Sequence, residues 1–191
     1  MPSFNIHLAV AKRYLEKNPG IIWNKQDFYD GNIAPDLTDD KLATHYSLPR
    51  VEGDLPSHIN SKVGIASVYK LPIDTDFEKG IFLHLLTDYV FYNFYFDKTF
   101  IKNYPADKFT IDMYASYNAT NPSLVEKYNI SYDDTSNGAL LHSYIVKLQS
   151  SRPTIADGDN LLTDFDKLCG FIEFMSGLDL KKVRKTQRIV S

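Results

Sequence analysis

The sequence predicts an all-α fold, a single-domain helical bundle over residues 1–191 built on a buried central helix around residues 76–97. Three observations predict it. Apolar residues recur at helical spacing in several segments, whereas the sustained period-two alternation of half-buried strands is absent. The stretch GIFLHLLTDYVFYNFYF, residues 80–96, is apolar almost all round, as expected of a helix packed on every side. No internal repeat, low-complexity tract or long linker divides the chain.

Residues 4–17 form the first predicted helix. Ile6, Val10 and Leu15 make its apolar stripe, Leu8 and Ala11 flank it, and Lys12, Arg13, Glu16 and Lys17 face water. Asn18-Pro19-Gly20 stops it. A short helix is expected at 24–31, capped by Asn24 and closed by Gly31. Ala34-Pro35-Asp36 then places Asp36 in a loop, because the proline restricts the local backbone. A helix at about 57–70 has Ser57 as cap, with Ile59, Val63, Ala66 and Val68 inward. Residues 74–97 carry the strongest helical pattern, with Asp74 and Asp76 at the start. Further helices are expected at 106–117, at 122–129 with Pro122 in its first turn, at 137–149 and at 160–176, the last capped by Asp159 or Asn160.

Composition narrows the function classes. Hydrophobic residues make up 43%, aromatics 14% and charged residues 24%, a globular profile. The net charge of −3 offers no general attraction for phosphate backbones, and the sole basic cluster, Lys181, Lys182, Arg184, Lys185 and Arg188, reads as a solvated helix end. No clear nucleic-acid binding is expected. The one cysteine, Cys169, excludes an intramolecular disulfide and a thiolate-rich zinc cluster. Neither a signal-peptide pattern nor an uncharged apolar run of about 18 residues is present, so a cytoplasmic protein without a transmembrane segment is expected. The aromatic run 89–96 reads as core.

His84 and Asp88 are spaced i, i+4 and leave one face of the central helix about one turn apart. Their neighbours, Phe82, Leu83, Leu85, Leu86, Val90 and Phe91, imply dry surroundings. An unpaired carboxylate there would cost several kcal/mol or take up a proton. A metal ion removes that penalty; so does a structural histidine–carboxylate hydrogen bond. His7, Asp36 and His45 read singly as a core histidine, a turn residue and a surface histidine. Of the five histidines, His58 and His142 are taken as ordinary residues, His142 being the nearer to an outlying ligand.

The order of these residues adds more. His7 in FNIHLAVAKRYL, Asp36 in FYDGNIAPDL, His45 in ATHYS and His84/Asp88 in GIFLHLLTDYVF together resemble the zinc-dependent phospholipase C family, whose wider fold is shared with the single-strand-specific zinc nucleases. The resemblance covers roughly the first 100 residues and is greatest to the uncharacterised cytoplasmic branch. It implies an all-helical fold in which Asp36, His45, His84 and Asp88 ligate one zinc, with His7 on a second metal bridged by Asp88. Secreted members use an N-terminal tryptophan as a ligand, where this chain begins Met1-Pro2-Ser3. They also carry a histidine where Phe94 stands and a histidine–glutamate pair where this chain has His142 and Val146. One of the family's three metal sites is therefore expected to be absent and another weakened.

The activity implied is hydrolysis of a phosphoester, in a small molecule or a phospholipid head group, by a metal-activated water with Asp36 or Asp88 as general base. The cofactor implied is zinc, one ion with room for a second; a set of imidazoles and carboxylates also admits manganese, iron or magnesium. The alternative is a catalytically inactive metal-binding structural or interaction protein that keeps the fold.

Overall fold

The computed structural model describes residues 3–49, 63–156 and 158–186. It is all-α: ten α-helices and no strand occur among the described residues, apart from one isolated antiparallel bridge between Ser47 and Val63. The helices are α1 (Phe4–Lys17), α2 (Lys25–Ile33), α3 (Lys41–Thr44), α4 (Ile65–Val68), α5 (Asp76–Val90), α6 (Lys98–Asn103), α7 (Ala106–Tyr128), α8 (Gly138–Ser151), α9 (Phe165–Ser176) and α10 (Leu180–Thr186). No described helix is long and apolar enough to cross a membrane.

Helix α5 is the central element. The Thr75 hydroxyl accepts from the Glu78 amide while the Glu78 carboxylate accepts from the Thr75 amide, a reciprocal cap that starts the helix. Phe82, Leu83, Leu85 and Leu86 are fully buried, consistent with its all-round apolar pattern. It packs most extensively against α2 and also touches α1, α4 and α10. After Val90 the backbone widens into a π-helical turn, Phe91–Tyr95. The Asn93 side-chain amide donates to the Tyr89 carbonyl at 2.8 Å, and Phe91 stacks on Tyr95 with ring centroids 5.0 Å apart. The aromatic run is core: Phe91, Tyr92, Tyr95 and Phe96 are buried, and Phe94 alone of that group is exposed.

Helix α1 follows its predicted bounds, with the Ser3 hydroxyl accepting from the Ile6 amide. It is clamped to α9 where Glu173 accepts from Arg13 and Lys17, each at 2.7 Å. These bridges are half-exposed and contribute little beside the packing of Ile6, Val10 and Tyr14.

Several boundaries differ from the sequence-based expectation. Gly31 does not close α2, which continues to Ile33, because it is a contact point: a Cβ there would lie 2.0 Å from the Phe77 carbonyl oxygen. Asp36 ends a single 3-10 turn, Ala34–Asp36, rather than sitting in an open loop. Residues 57–62 of the helix expected at 57–70, with Ser57 and Ile59, lie outside the described residues. Of its remainder, Val63 is extended and pairs with Ser47, Ala66 is exposed, and helix is confined to Ile65–Val68. The helices expected at 106–117 and 122–129 are one, α7. Pro122 lies inside it and removes one backbone hydrogen bond, and burial of Tyr117, Thr120, Asn121 and Leu124 around it outweighs that loss. Helix α9 starts at Phe165 because Asp164, not Asp159 or Asn160, caps it by accepting from the Lys167 amide. Cys169 is free and buried.

Candidate metal centre

His7, Asp36, His45, His84 and Asp88 converge in one buried cluster, each 0–1% exposed. Three elements carry them. Helix α1 delivers His7, and α5 delivers His84 and Asp88. The 34–46 segment after α2 delivers Asp36 and, one turn of helix later, His45.

His45 is presented by a sharp chain reversal. It is the C-cap of α3, and Tyr46 follows in the left-handed region at φ 51°. The Ser47 amide donates to the Leu42 carbonyl and the Tyr46 amide to the Ala43 carbonyl, a Schellman closure with tyrosine where glycine is usual. That conformation costs about 1–2 kcal/mol in a residue with a side chain. The Gly64 amide, donating to the Tyr46 carbonyl at 3.0 Å, helps to hold it. Gly64 is required at that approach, since a Cβ would sit 2.4 Å from the same oxygen.

Two backbone carbonyls orient the imidazoles. The Nδ1–H of His84 donates to the Asn32 carbonyl at 2.6 Å, and the Nδ1–H of His45 donates to the Lys41 carbonyl at 2.8 Å. A carbonyl only accepts, so both rings carry their proton on Nδ1 and turn the Nε2 lone pair inward. Those two Nε2 atoms are 3.3 Å apart. Two facing lone pairs at that distance repel unless a proton or a metal cation stands between them.

The surrounding distances suit a cation. Asp88 Oδ2 lies 3.0 Å from His45 Nε2 and 3.5 Å from His84 Nε2; Asp36 Oδ1 lies 3.5 Å and 4.0 Å from the same two atoms. Nitrogen and oxygen donors about 2.0–2.2 Å from a tetrahedral zinc are separated by about 3.3–3.5 Å. All four carboxylate oxygens are buried, and none makes a directed hydrogen bond. Asp88 turns its other oxygen, Oδ1, to His7 Nε2 at 3.3 Å, while the His7 ring stacks on His84 with centroids 3.8 Å apart. Both His7 nitrogens also lack a hydrogen bond. Buried polar atoms left this way are costly, and a coordinated ion satisfies several at once. Three of these side chains at a time, His7, Asp36 and His84 or His45, His84 and Asp88, bring donor atoms within 4.8 Å of one another, so the cluster could hold a metal ion.

The titration properties agree. Burial alone would raise the Asp88 carboxyl, but the imidazoles of His84, His45 and His7 outweigh it and hold it well below the usual carboxylate range. Burial would likewise raise Asp36, and His45 and His84 bring it down. Burial would lower His45, but Asp36 and Asp88 raise it to about 9. Burial, followed by the neighbouring His84, depresses His7 to about 4 despite Asp88. A divalent cation among these side chains would balance the charge of the two buried carboxylates.

A stability prediction follows for the metal-free protein. His45 has a folded pKa above its unfolded value, so its contribution is complete below about pH 6.5 and is lost as pH rises through 9. His7 has a depressed one, so its contribution is complete above about pH 6.5 and is lost as pH falls to 4. Each limb is worth roughly 3 kcal/mol. Thermal unfolding of chelator-treated protein is expected to peak in Tm near pH 6.5. In metal-loaded protein the alkaline decline disappears, because the ion has replaced the His45 proton. An alkaline decline of equal size in both forms would contradict this.

Sequence reasoning missed the orienting groups. Asn32 and Lys41 act through backbone carbonyls, which leave no side-chain signature; the Lys41 ammonium is also 3.9 Å from Asp36 Oδ1. His142 is exposed and stacks on Tyr132, with ring centroids 5.4 Å apart, and takes no part in the cluster. His58 lies outside the described residues. No protein-family model, curated protein or solved structure matches the chain.

Proposed function

We propose that this protein is a metal-dependent hydrolase of phosphoester bonds, with a zinc ion held by Asp36, His45, His84 and Asp88 and a phosphodiester or phospholipid head group as substrate. The donor set, imidazole and carboxylate without thiolate, suits zinc and also admits manganese, iron or magnesium. The resemblance to the zinc-dependent phospholipase C family supports the same reading. The observation that carries it is a surplus of donors. A structural zinc takes four. Beside the four named here, both nitrogens of His7 and Asp88 Oδ1 remain without hydrogen bonds, placed for a second ion or for groups on the reacting side.

A bound divalent ion supplies Lewis acidity towards a phosphoryl oxygen and brings the pKa of water near 7. The chain supplies the rest. Asp36 has one oxygen towards His45 and the other unpaired, a position from which it can accept a proton as general base. Asp88 directs its two oxygens to opposite sides, towards His45 and His7. Asn32 holds His84 in the tautomer and rotation that coordination needs, and Lys41 adds positive charge beside Asp36.

A second reading is an inactive metal-binding protein, favoured by burial: all five residues are at most 1% exposed. Metal analysis of protein purified without an affinity tag, coupled to hydrolysis of bis(4-nitrophenyl) phosphate with zinc, manganese, iron and magnesium in turn, separates the two. The expected result is about one zinc per chain and metal-dependent turnover. Stoichiometric metal without turnover under any of the four ions selects the second reading, and a folded chain with no metal removes both.

A further inference from the structure

A second site lies at the other end of the same helices. Tyr14 is seven residues beyond His7 on α1, about 10 Å along the axis, and Asp76 is twelve residues before Asp88, about 18 Å. Here the end of α1, the 20–24 turn, the start of α5 and the start of α10 enclose a cleft of about 630 Å³, within the range of small-molecule pockets.

Trp23, the only tryptophan of the chain, stands on this cleft and is 90% exposed. Its backbone is not free. The Asp76 carboxylate accepts from the Trp23 amide at 2.8 Å and the Asn24 amide at 2.7 Å, and is itself paired with Lys79 at 2.7 Å. An anchored backbone therefore presents an uncovered indole, a costly use of the largest side chain unless something covers it.

Tyr14 supplies the second observation. It is 1% exposed, lines the cleft, and its hydroxyl makes no hydrogen bond among the described residues. Asp74 and Asp179 bring carboxylates to the same walls. Asp74 has no side-chain partner among the described residues, and Asp179 uses one oxygen to accept from the Lys182 amide. The Lys79 ammonium is committed to Asp76 and to the Ile21 carbonyl, leaving Lys181 as the uncommitted cation of the lining. The unbalanced charge of the lining is negative.

We infer that this cleft binds a small organic cation bearing N–H donors, an alkylammonium or guanidinium compound, with Trp23 against its cationic face, Asp74 and Asp179 accepting from its N–H groups and the Tyr14 hydroxyl as a further polar contact. Indole is the most favourable aromatic partner for a cation, and carboxylates accept from guanidinium in paired geometry. An anion finds two unneutralised carboxylates against one uncommitted cation, Lys181, since Lys79 is paired with Asp76. The site is independent of the metal centre.

The unique tryptophan makes the test direct. Intrinsic fluorescence, excited at the red edge of indole absorption, is followed while agmatine is added to the full chain, with succinate as the anionic comparison. A saturable change with agmatine, none with succinate and the same response after chelator treatment are expected. Asp74→Asn and Tyr14→Phe should each weaken binding by about fivefold, with the Asp74→Asn/Asp179→Asn pair weaker still, at unchanged Tm. No saturable response at millimolar agmatine, a response to succinate instead, or wild-type affinity in the doubly substituted protein would each overturn the inference.

Discussion

Asp88→Ala is expected to abolish stoichiometric metal uptake, and His84→Ala to do the same. Asp88 is the only residue of the cluster with an oxygen within 3.5 Å of each of the three imidazoles. Removing it takes away one of two compensating charges and leaves Asp36 alone against a divalent ion in a buried site. Loss of a merely supporting group lowers metal affinity about 10–100-fold, and loss of a coordinating carboxylate from a buried site should exceed that range. The readout is the gap in Tm between metal-loaded and chelator-treated protein, since an ion that binds only the folded chain stabilises it by about 4 kcal/mol at a thousandfold excess over Kd. Wild type should show that gap and both variants should lose it. His142→Ala, at an exposed position outside the cluster, should keep it. One ion per chain retained in both Asp88→Ala and His84→Ala would show that other residues bind the metal.

The parts of this site differ in how far a sequence can reveal them. His84 and Asp88 share one helix face, so their proximity follows from the periodicity of a single element. His7, Asp36 and His45 come from elements whose docking no local pattern encodes; only their order along the chain pointed to a common place. The groups that turn the imidazoles inward were illegible, because a backbone carbonyl looks the same at every position.

The fold shows the same division. Helix α1 and the heart of α5 follow from apolar spacing. Pro122 and Gly31 misled because each was read by its local habit, proline at a helix start and glycine at a helix end. Pro122 instead sits inside α7, where buried neighbours on both sides keep the helix continuous, and Gly31 sits where another backbone passes. The π-helical turn at Phe91–Tyr95 depends on aromatic packing with Phe171, from a helix some eighty residues later, which periodicity within the run does not contain.

Gly80→Ala should be strongly destabilising, against the intrinsic preference of a helix. In an open helix interior alanine is favoured over glycine by about 1 kcal/mol. At Gly80 the added Cβ would fall 2.2 Å from the Phe28 carbonyl oxygen and 2.7 Å from the Asn32 amide nitrogen, both backbone atoms of α2. Backbone cannot rotate away as a side chain can, so α2 and α5 must separate by about an ångström along their most extensive contact. A loss of about 3 kcal/mol or more is expected, or roughly 6–12 °C in Tm for a chain of this size. Gly170→Ala is the matched comparison: it lies mid-way in α9 with nothing within 4 Å of its Cβ, and should be neutral or slightly stabilising. The effect should also reach the metal centre. The Asn32 carbonyl that holds His84 at 2.6 Å rides on the segment that Gly80 allows to approach. Separation of the helices frees the His84 ring, so metal affinity in Gly80→Ala should fall with stability, although no donor atom has been touched. An unchanged affinity in a properly folded Gly80→Ala protein would mean that His84 is oriented by something other than the close crossing of these two helices.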